Sequence, residues 1–453
     1  MIKLTLKEIA EAVGGRIKGE LPDSFAASIV TDSRKAEPGS VFIALTGQKV
    51  DGHSFIKGLE SIISCAIVER EVEADVPQIV VWSTFKAVGA LGSYIRMKSG
   101  VTVIGVTGSV GKTSVKELTA SVVSQGFNVL KTEKNHNNEL GLPLTLFRLE
   151  EDNSAAVLEM GISFFGEMTR LSAIARPDIA IFTNIENVHT ENLIDRDGVL
   201  RAKTELVPNM REDHDPVLIL NAEDDKLAGY QVPENRRAVY YGFNENCFAR
   251  AENIVPHGME STEFTLIMGE EKIDVELPAS GRHMVMNSLA AAAAGHEMGL
   301  TLQEIKRGLE AYVPVDGRMS RIPYKGATII NDCYNASPAS MKASLGVLAK
   351  AEGRKLALLG DMLELGDRSN ELHEEVGRFA ASIGLDMLVI VGSSARLISA
   401  AAKTLGLENA FHADRDEAAE LLKNELRAGD TLLVKASRGM ALEKMIAKIT
   451  EEQ

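Results

Sequence analysis

Lys112 and Thr113 close a glycine-rich turn, Thr107-Gly108-Ser109-Val110-Gly111-Lys112-Thr113, and residues of these types in this order can hold a phosphate. A lysine ammonium on a flexible stem can follow a phosphoryl group, and the adjacent hydroxyl can ligate a phosphate-bound Mg2+. The glycines let the backbone approach the anion without a Cβ in the way, and the N–H groups at the start of a following helix point at it. The spacing departs from the common phosphate-loop pattern. Its first glycine falls on Val106, with Gly105 one place early and Gly108 two places late. The context decides in favour of nucleotide binding over a chance lysine. The β-branched run from Val101 to Val106 reads as a buried parallel strand, and Val115, Leu118, Val122 and Val123 mark one side of a helix after it.

Other polar residues stand where apolar runs end. Ala155 to Leu158 delivers Glu159, Ile179 to Thr183 delivers Asn184, and Val217 to Leu220 delivers Asn221. Open α/β sheets bind ligands at the carboxyl ends of their strands, so these three are predicted to face one crevice with Lys112. Glu159 is the candidate for Mg2+, a hard cation that favours carboxylate oxygen beside substrate phosphate. The amide-rich loop from Asn135 to Pro143 reads as a turn entering a helix, with amide donors available to a polar substrate. Ser33, Arg34 and the loop holding Gln48 flank a strand from Val41 to Leu45. They could line a pocket for a diphosphate or a nucleobase edge, although each alone reads as a solvated turn. By type alone, His189 is a packed or surface imidazole, and Lys203 is an ordinary lysine on a helix surface.

The elements that must position these residues divide into three units. A chain of 453 residues exceeds one ordinary core at about 150 residues per domain. Lys98-Ser99-Gly100 and Val313-Pro314-Val315-Asp316-Gly317-Arg318 read as linkers, giving units 1–99, 100–314 and 315–453. Strand–helix alternation in the second and third predicts parallel α/β sheets, with strands near 327–331, 355–359, 387–391 and 431–435 in the third. Between 236 and 278, three short apolar runs read as antiparallel strands, a β extension of the middle unit. Thr5 and Glu8 form a capping-box pattern at the first helix, and Gly14 reads as its stop. A net charge of -15 argues against broad nucleic-acid binding. Three scattered cysteines suggest neither disulfides nor a zinc pair and fit a reducing cytosol. No run is long and apolar enough to span a bilayer, so a cytoplasmic protein is expected.

Taken in order, these segments resemble the Mur ligase family of bacterial cell-wall synthesis over essentially the whole chain. The resemblance is carried by the Thr107–Thr113 loop, by Asn137-Asn138-Glu139-Leu140-Gly141-Leu142-Pro143, by Asp332-Cys333-Tyr334-Asn335-Ala336-Ser337-Pro338 and by Gly360-Asp361-Met362-Leu363-Glu364-Leu365-Gly366. The last three are similar to the member that adds D-alanyl-D-alanine, and the Asp-Asn-Pro-Arg motif of the diamino-acid-adding member is absent. The resemblance implies a central P-loop ATPase domain with a parallel sheet and a small β extension, a C-terminal Rossmann-like α/β domain, and an N-terminal domain for a UDP substrate. It implies a monomeric ligase that uses ATP and Mg2+ to join D-alanyl-D-alanine to UDP-N-acetylmuramoyl-tripeptide through an acyl phosphate. Ser33, Arg34 and Gln48 would then bind UDP, and Asn137 and Asn138 the nucleotide sugar-peptide. Residues 107–113 would bind ATP, with Asn287 on adenine and Arg318 and Asp332 reaching in from the hinge and third domain. Glu159 and His189 would hold a second Mg2+ beyond the one at Thr113, together with Lys203 if it is carbamylated. One position departs from the family: Met284 stands where an asparagine often follows the histidine matched by His283. Two alternatives stay open, another Mur-type amino-acid ligase and a non-catalytic P-loop protein that senses UDP-sugars. Ser33-Arg34 disfavours a folate-polyglutamate enzyme.

Overall fold

A computed structural model describes residues 1–47 and 49–451; the Gln48 expectation therefore lies outside the described residues. Three sheets organise the chain. The first contains strands Arg16–Lys18, Ile29–Val30, Val41–Ile43, Cys65–Val68 and Gln78–Val80, parallel except for the first, which pairs antiparallel along one edge. Its opening helix, Leu6–Ala12, carries the full reciprocal capping box between Thr5 and Glu8, and Gly14 turns left-handed just past it.

In the nine-stranded middle sheet, the strand Thr102–Thr107 lies between Ala155–Glu159 and Ile179–Phe182. From this strand the chain runs outward to Val129–Lys131, returns to Ala155–Glu159, and then crosses to the other side. That reversal opens the crevice in which α/β sheets bind ligands. The helix Lys112–Val123 is held close to its neighbours by missing side-chain volume. A Cβ on Gly295 would come within 2.5 Å of Val122, and one on Gly308 within 2.4 Å of its Cα. Ala290 to Ala294 are wholly buried along the helix Arg282–Glu297, so this small-residue stripe lets the two helices approach closely.

The β extension differs from its expected form. The run Arg237–Gly242 is a parallel member of the main sheet, and Ala249–His257 is a strand that the sequence reading lacked. Its exposed Glu252 and Asn253 and its Pro256 break the apolar alternation. Only Ala249–His257, Ser261–Met268 and Glu271–Leu277 pair antiparallel.

The third sheet runs Ser320–Tyr324, Ala327–Asn331, Thr431–Lys435, Lys355–Gly360, Met387–Val391 and Ala410–His412, with the first as an antiparallel edge. At its carboxyl edge, Gly392 adopts φ +128, and the Asp361 carboxylate fills the turn behind it. That carboxylate accepts from the N–H groups of Ser393 (3.2 Å), Ser394 (3.0 Å) and Ala395 (2.6 Å).

The first linker is not a loose one. The helix Thr84–Ser99 runs straight to a left-handed Gly100, and its fully buried Arg96 is bound into the middle unit. The guanidinium donates to the carbonyls of Ala175 (2.9 Å), Val101 (2.8 Å) and Arg176 (3.1 Å) and to the Asp178 carboxylate (2.7 Å). Asp178 also accepts from the Val103 N–H at the foot of the phosphate-loop strand.

Candidate active site

The second and third units meet over a cleft of about 1360 Å3 whose floor is the turn 109–113. The turn is braced from the neighbouring strand end. Ser109 N–H donates to the Asn184 carbonyl, Val110 N–H to Asn184 Oδ1 at 2.9 Å, and Thr183 Oγ1 to the Val110 carbonyl at 2.6 Å. Thr107 and Gly108 shape the loop from behind. Thr107 Oγ1 donates to the Met160 carbonyl, and Gly108 has φ +141 with no room for a Cβ beside Thr183. Gly111, also left-handed, sits against Asn287 of the facing helix. The helix begins at Lys112, so its first-turn N–H groups have no intrahelical acceptor. The Lys112 ammonium donates to the carbonyls of Gly108 and Ser109 (2.9 and 3.1 Å). Burial lowers its pKa, with Glu159 opposing and Arg318 adding to the depression.

Thr113 is the junction of the site. Its hydroxyl donates to Glu159 Oε2 at 2.7 Å and accepts from the Arg318 guanidinium at 2.6 Å. Glu159, itself buried, takes the Asn137 amide on its other oxygen at 2.8 Å. Arg318 lies over the Tyr334 ring, 4.1 Å from its centroid, and its Nε–H is buried without a partner among the described residues. An orphaned guanidinium N–H beside a phosphate loop calls for an anionic acceptor. Thr113 and Glu159 together offer a hydroxyl and a carboxylate, a hard-oxygen pair that suits Mg2+ when phosphate and water complete its shell. Among the described residues, no group of three or more His, Cys, Asp or Glu forms a metal cluster.

His189 and Lys203 come to the same neighbourhood, and here the structure corrects the reading from residue type. Lys203 is 1 % exposed, not a surface lysine. No anion pairs with it among the described residues, and burial and then Lys112 push its pKa well below the ordinary range. His189 has left-handed backbone, and its Nδ1 is 2.5 Å from Glu364 of the third unit. Burial lowers its pKa, Glu364 opposes, and Lys112 and Lys203 add to the depression.

The remaining expectations divide. Asn138 lines the cleft, but its side chain caps the backbone of Leu140 and Gly141. Asp332 lines it too, held by Lys435 and the Ser344 hydroxyl, each at 2.6 Å. Asn221 does not face the crevice. Its amide donates to the Thr183 carbonyl from behind the sheet edge. Ser33 and Arg34 lie apart, at the carboxyl end of a first-sheet strand, where Arg34 forks onto its neighbour Asp32. Lys116 escaped the sequence reading. It is buried in the cleft wall, donating to the Thr132 carbonyl at 2.7 Å and pairing with Glu117 at 2.6 Å. Its spacing of four from Lys112 was the available signal.

Family models describe the same territory: the Mur ligase middle domain matches residues 106–295, the Mur ligase glutamate ligase domain residues 317–438, and the Mur ligase catalytic domain residues 26–92. The UDP-N-acetylmuramoyl-tripeptide–D-alanyl-D-alanine ligase of Escherichia coli K12 is 34% identical, over 100% of this chain and 99% of its own. The chain belongs to the Mur ligase family. Within that family, the Bacillus subtilis ligase of the same name is 35% identical over the same shares. Crystal structure I of MurF from Acinetobacter baumannii superposes with a TM-score of 0.91 at 33% identity, covering 99% of both chains. The Thermotoga maritima MurF ligase, solved in complex with ADP, gives 0.83 at 28% identity, covering 93% of this chain and 97% of that one. The three-sheet α/β architecture is thus the MurF fold, and among the described residues no helix is long and apolar enough to cross a membrane.

Proposed function

We propose that this chain is a cytoplasmic, ATP-dependent ligase that joins D-alanyl-D-alanine to UDP-N-acetylmuramoyl-tripeptide in peptidoglycan precursor synthesis. Unit 1–99 would hold the UDP end, unit 100–314 ATP, and unit 315–453 would close the site. The observation that carries this reading is the chain of contacts Glu159–Thr113–Arg318, in which a third-unit cation reaches the phosphate loop of the second.

A carboxylate does not acylate an amine at neutral pH, because its oxygen is a poor leaving group. In the proposed reaction, the peptide carboxylate attacks the γ-phosphorus of ATP. The bond to the β-γ bridging oxygen breaks, ADP departs, and an acyl phosphate forms. The dipeptide amine, as the free base, attacks the acyl carbon; inorganic phosphate leaves with the C–O bonding pair, and the amine gives up a proton. Lys112 and Arg318 stabilise charge on the moving phosphoryl group, a task of positioning and electrostatics. Asn137 holds the Glu159 carboxylate so that its second oxygen stays on Thr113. Mg2+ on Thr113 and Glu159, and a second ion on Glu159, His189 and a carbamate at Lys203, would supply the countercharge that lets two anions meet. CO2 adds to the free amine of lysine, and burial together with Lys112 disfavours the ammonium at Lys203, which supports the carbamate. Asn287, backed against Gly111, is assigned to adenine, Asp332 to ATP, Ser33, Arg34 and Gln48 to UDP, and Asn138 to the sugar-peptide.

The test is incubation with ATP, Mg2+, UDP-tripeptide and D-alanyl-D-alanine, with ADP release and product mass recorded. ADP release that requires both acceptor and dipeptide, with a product heavier than the UDP-tripeptide by one dipeptide less water, is expected. ADP release indifferent to the dipeptide would overturn the assignment.

A further inference from the structure

The third-unit wall of the cleft carries a small amphipathic surface that the phosphate chemistry does not use. Leu363 is 47% exposed and lines the cleft. Its N–H donates to Ser437 Oγ at 2.9 Å, and its Cδ1 lies 3.0 Å from where a Cβ on Gly439 would stand. Leu363 therefore rests directly on the turn 437–439, and the absence of a side chain at Gly439 makes room for it. From the same turn Arg438 lines the cleft with its side chain 65% exposed, one guanidinium nitrogen paired with the Glu443 carboxylate at 3.3 Å and the rest open to the cleft. Its guanidinium is 6.0 Å from the centroid of the Tyr334 ring, the ring that Arg318 covers at 4.1 Å. Thr113, Arg318, Tyr334 and Arg438 thus form a continuous run from the phosphate loop to an exposed cation beside an exposed aliphatic side chain.

That surface complements a small zwitterion with a carboxylate at one end and methyl groups along its length. We propose that Arg438 and Leu363 form the D-alanyl-D-alanine subsite, Arg438 taking the terminal carboxylate and Leu363 the methyl groups; this rests on the ligation reaction proposed above. A guanidinium fork matches a carboxylate in two parallel hydrogen bonds. A dipeptide reaches about 7 Å from amine to carboxylate. Anchored at Arg438, it passes the Tyr334 ring and presents its amine toward Arg318 and Thr113, where the acyl phosphate forms. The contact to Leu363 rewards methyl groups over hydrogens, by a factor on the order of 10 or more per group.

The test compares full-length wild type with Arg438→Ala, Arg438→Lys and Leu363→Ala, using initial rates of ADP release at saturating ATP, Mg2+ and UDP-tripeptide. Each enzyme is offered D-alanyl-D-alanine, its C-terminal amide, and D-alanylglycine. Wild type should use the amide at least tenfold less well in kcat/KM. In Arg438→Ala the dipeptide should weaken at least tenfold while the amide penalty shrinks to within twofold of unity. Arg438→Lys should fall between the two, and Leu363→Ala should narrow the preference for D-alanyl-D-alanine over D-alanylglycine several-fold. KM for ATP and for UDP-tripeptide should stay within twofold throughout. An amide penalty of equal size in wild type and Arg438→Ala overturns the Arg438 anchor, as does a wild type indifferent to the amide. An unchanged preference in Leu363→Ala overturns the methyl contact. Wild type that releases no ADP in response to the dipeptide overturns the ligation reaction itself, and the subsite with it.

Discussion

Arg318 and Thr113, 205 residues apart in the chain, meet at 2.6 Å, guanidinium to hydroxyl. The contact joins the hinge to the phosphate loop and leaves the Arg318 Nε–H aimed at no protein acceptor among the described residues.

Arg318→Ala should therefore lower kcat by on the order of 10²–10³, the loss typical of one preorganised donor on a reacting anion. Arg318→Lys should recover little, because an ammonium cannot reproduce the fork over Tyr334. Steady-state rates of ADP release measure both, and a variant within threefold of wild type would remove Arg318 from the site.

Lys203→Ala should be nearly inactive and should regain activity when a short carboxylic acid is added, because the acid replaces a carbamate. Lys203→Arg should stay inactive with or without the acid. Wild type stripped of CO2 should slow and recover with bicarbonate. Rates insensitive to bicarbonate, together with a bare ammonium in a high-resolution map, would return Lys203 to a packing role.

Removing one partner of the buried Arg96–Asp178 pair should cost about 3–5 kcal/mol, since the other buried charge loses its nearest counter-ion. Urea midpoints of Arg96→Met and Asp178→Ala give the value. A loss under about 1 kcal/mol would mean that surrounding carbonyls or water take over the partner's part.

His283 supplies a pH dependence. Burial pushes its imidazole down to about 4, with Asp332 opposing and Lys435 and Lys350 adding to the depression. The unfolded chain titrates near 6.5. Between these values the unfolded state binds the extra proton, so this group's contribution is intact above pH 6.5 and is lost as the pH falls toward 4. His283→Asn should lose less stability than wild type between pH 7 and pH 4.5 in urea titrations. Parallel losses in the two proteins would contradict this.

How far the sequence could be read follows from where each signal resides. The phosphate loop, Glu159 and Asn184 were legible because a strand end and the turn after it are local patterns. The strands of the third sheet fell at 327–331, 355–360, 387–391 and 431–435 for the same reason. Lys203 was misread because burial of a lysine is a tertiary event: helix Arg196–Thr204 is polar enough to look exposed on all sides. Asn221 shares its strand-end position with Asn184 but bonds to Thr183, and only the packing of adjacent strand ends separates the two. Arg438 had no sequence signal; what singles it out is Tyr334, about a hundred residues earlier, standing beside it.

The rigid joint at Arg96 has a consequence for the order of events. Buried hydrogen bonds of Arg96 tie the sheet bearing Ser33 and Arg34 to the sheet bearing Lys112, whereas Tyr334, Leu363 and Arg438 lie beyond residues 313–318. In the proposed reaction, the spacing between acceptor and ATP is then set by that joint, and the spacing between either of them and the incoming amine is set at the hinge 313–318. Arg318 stands at that same hinge, so in the proposed reaction phosphoryl transfer and amide formation both wait on the third unit standing against the second. An enzyme arranged in this way should keep its acyl phosphate shielded until the amine arrives.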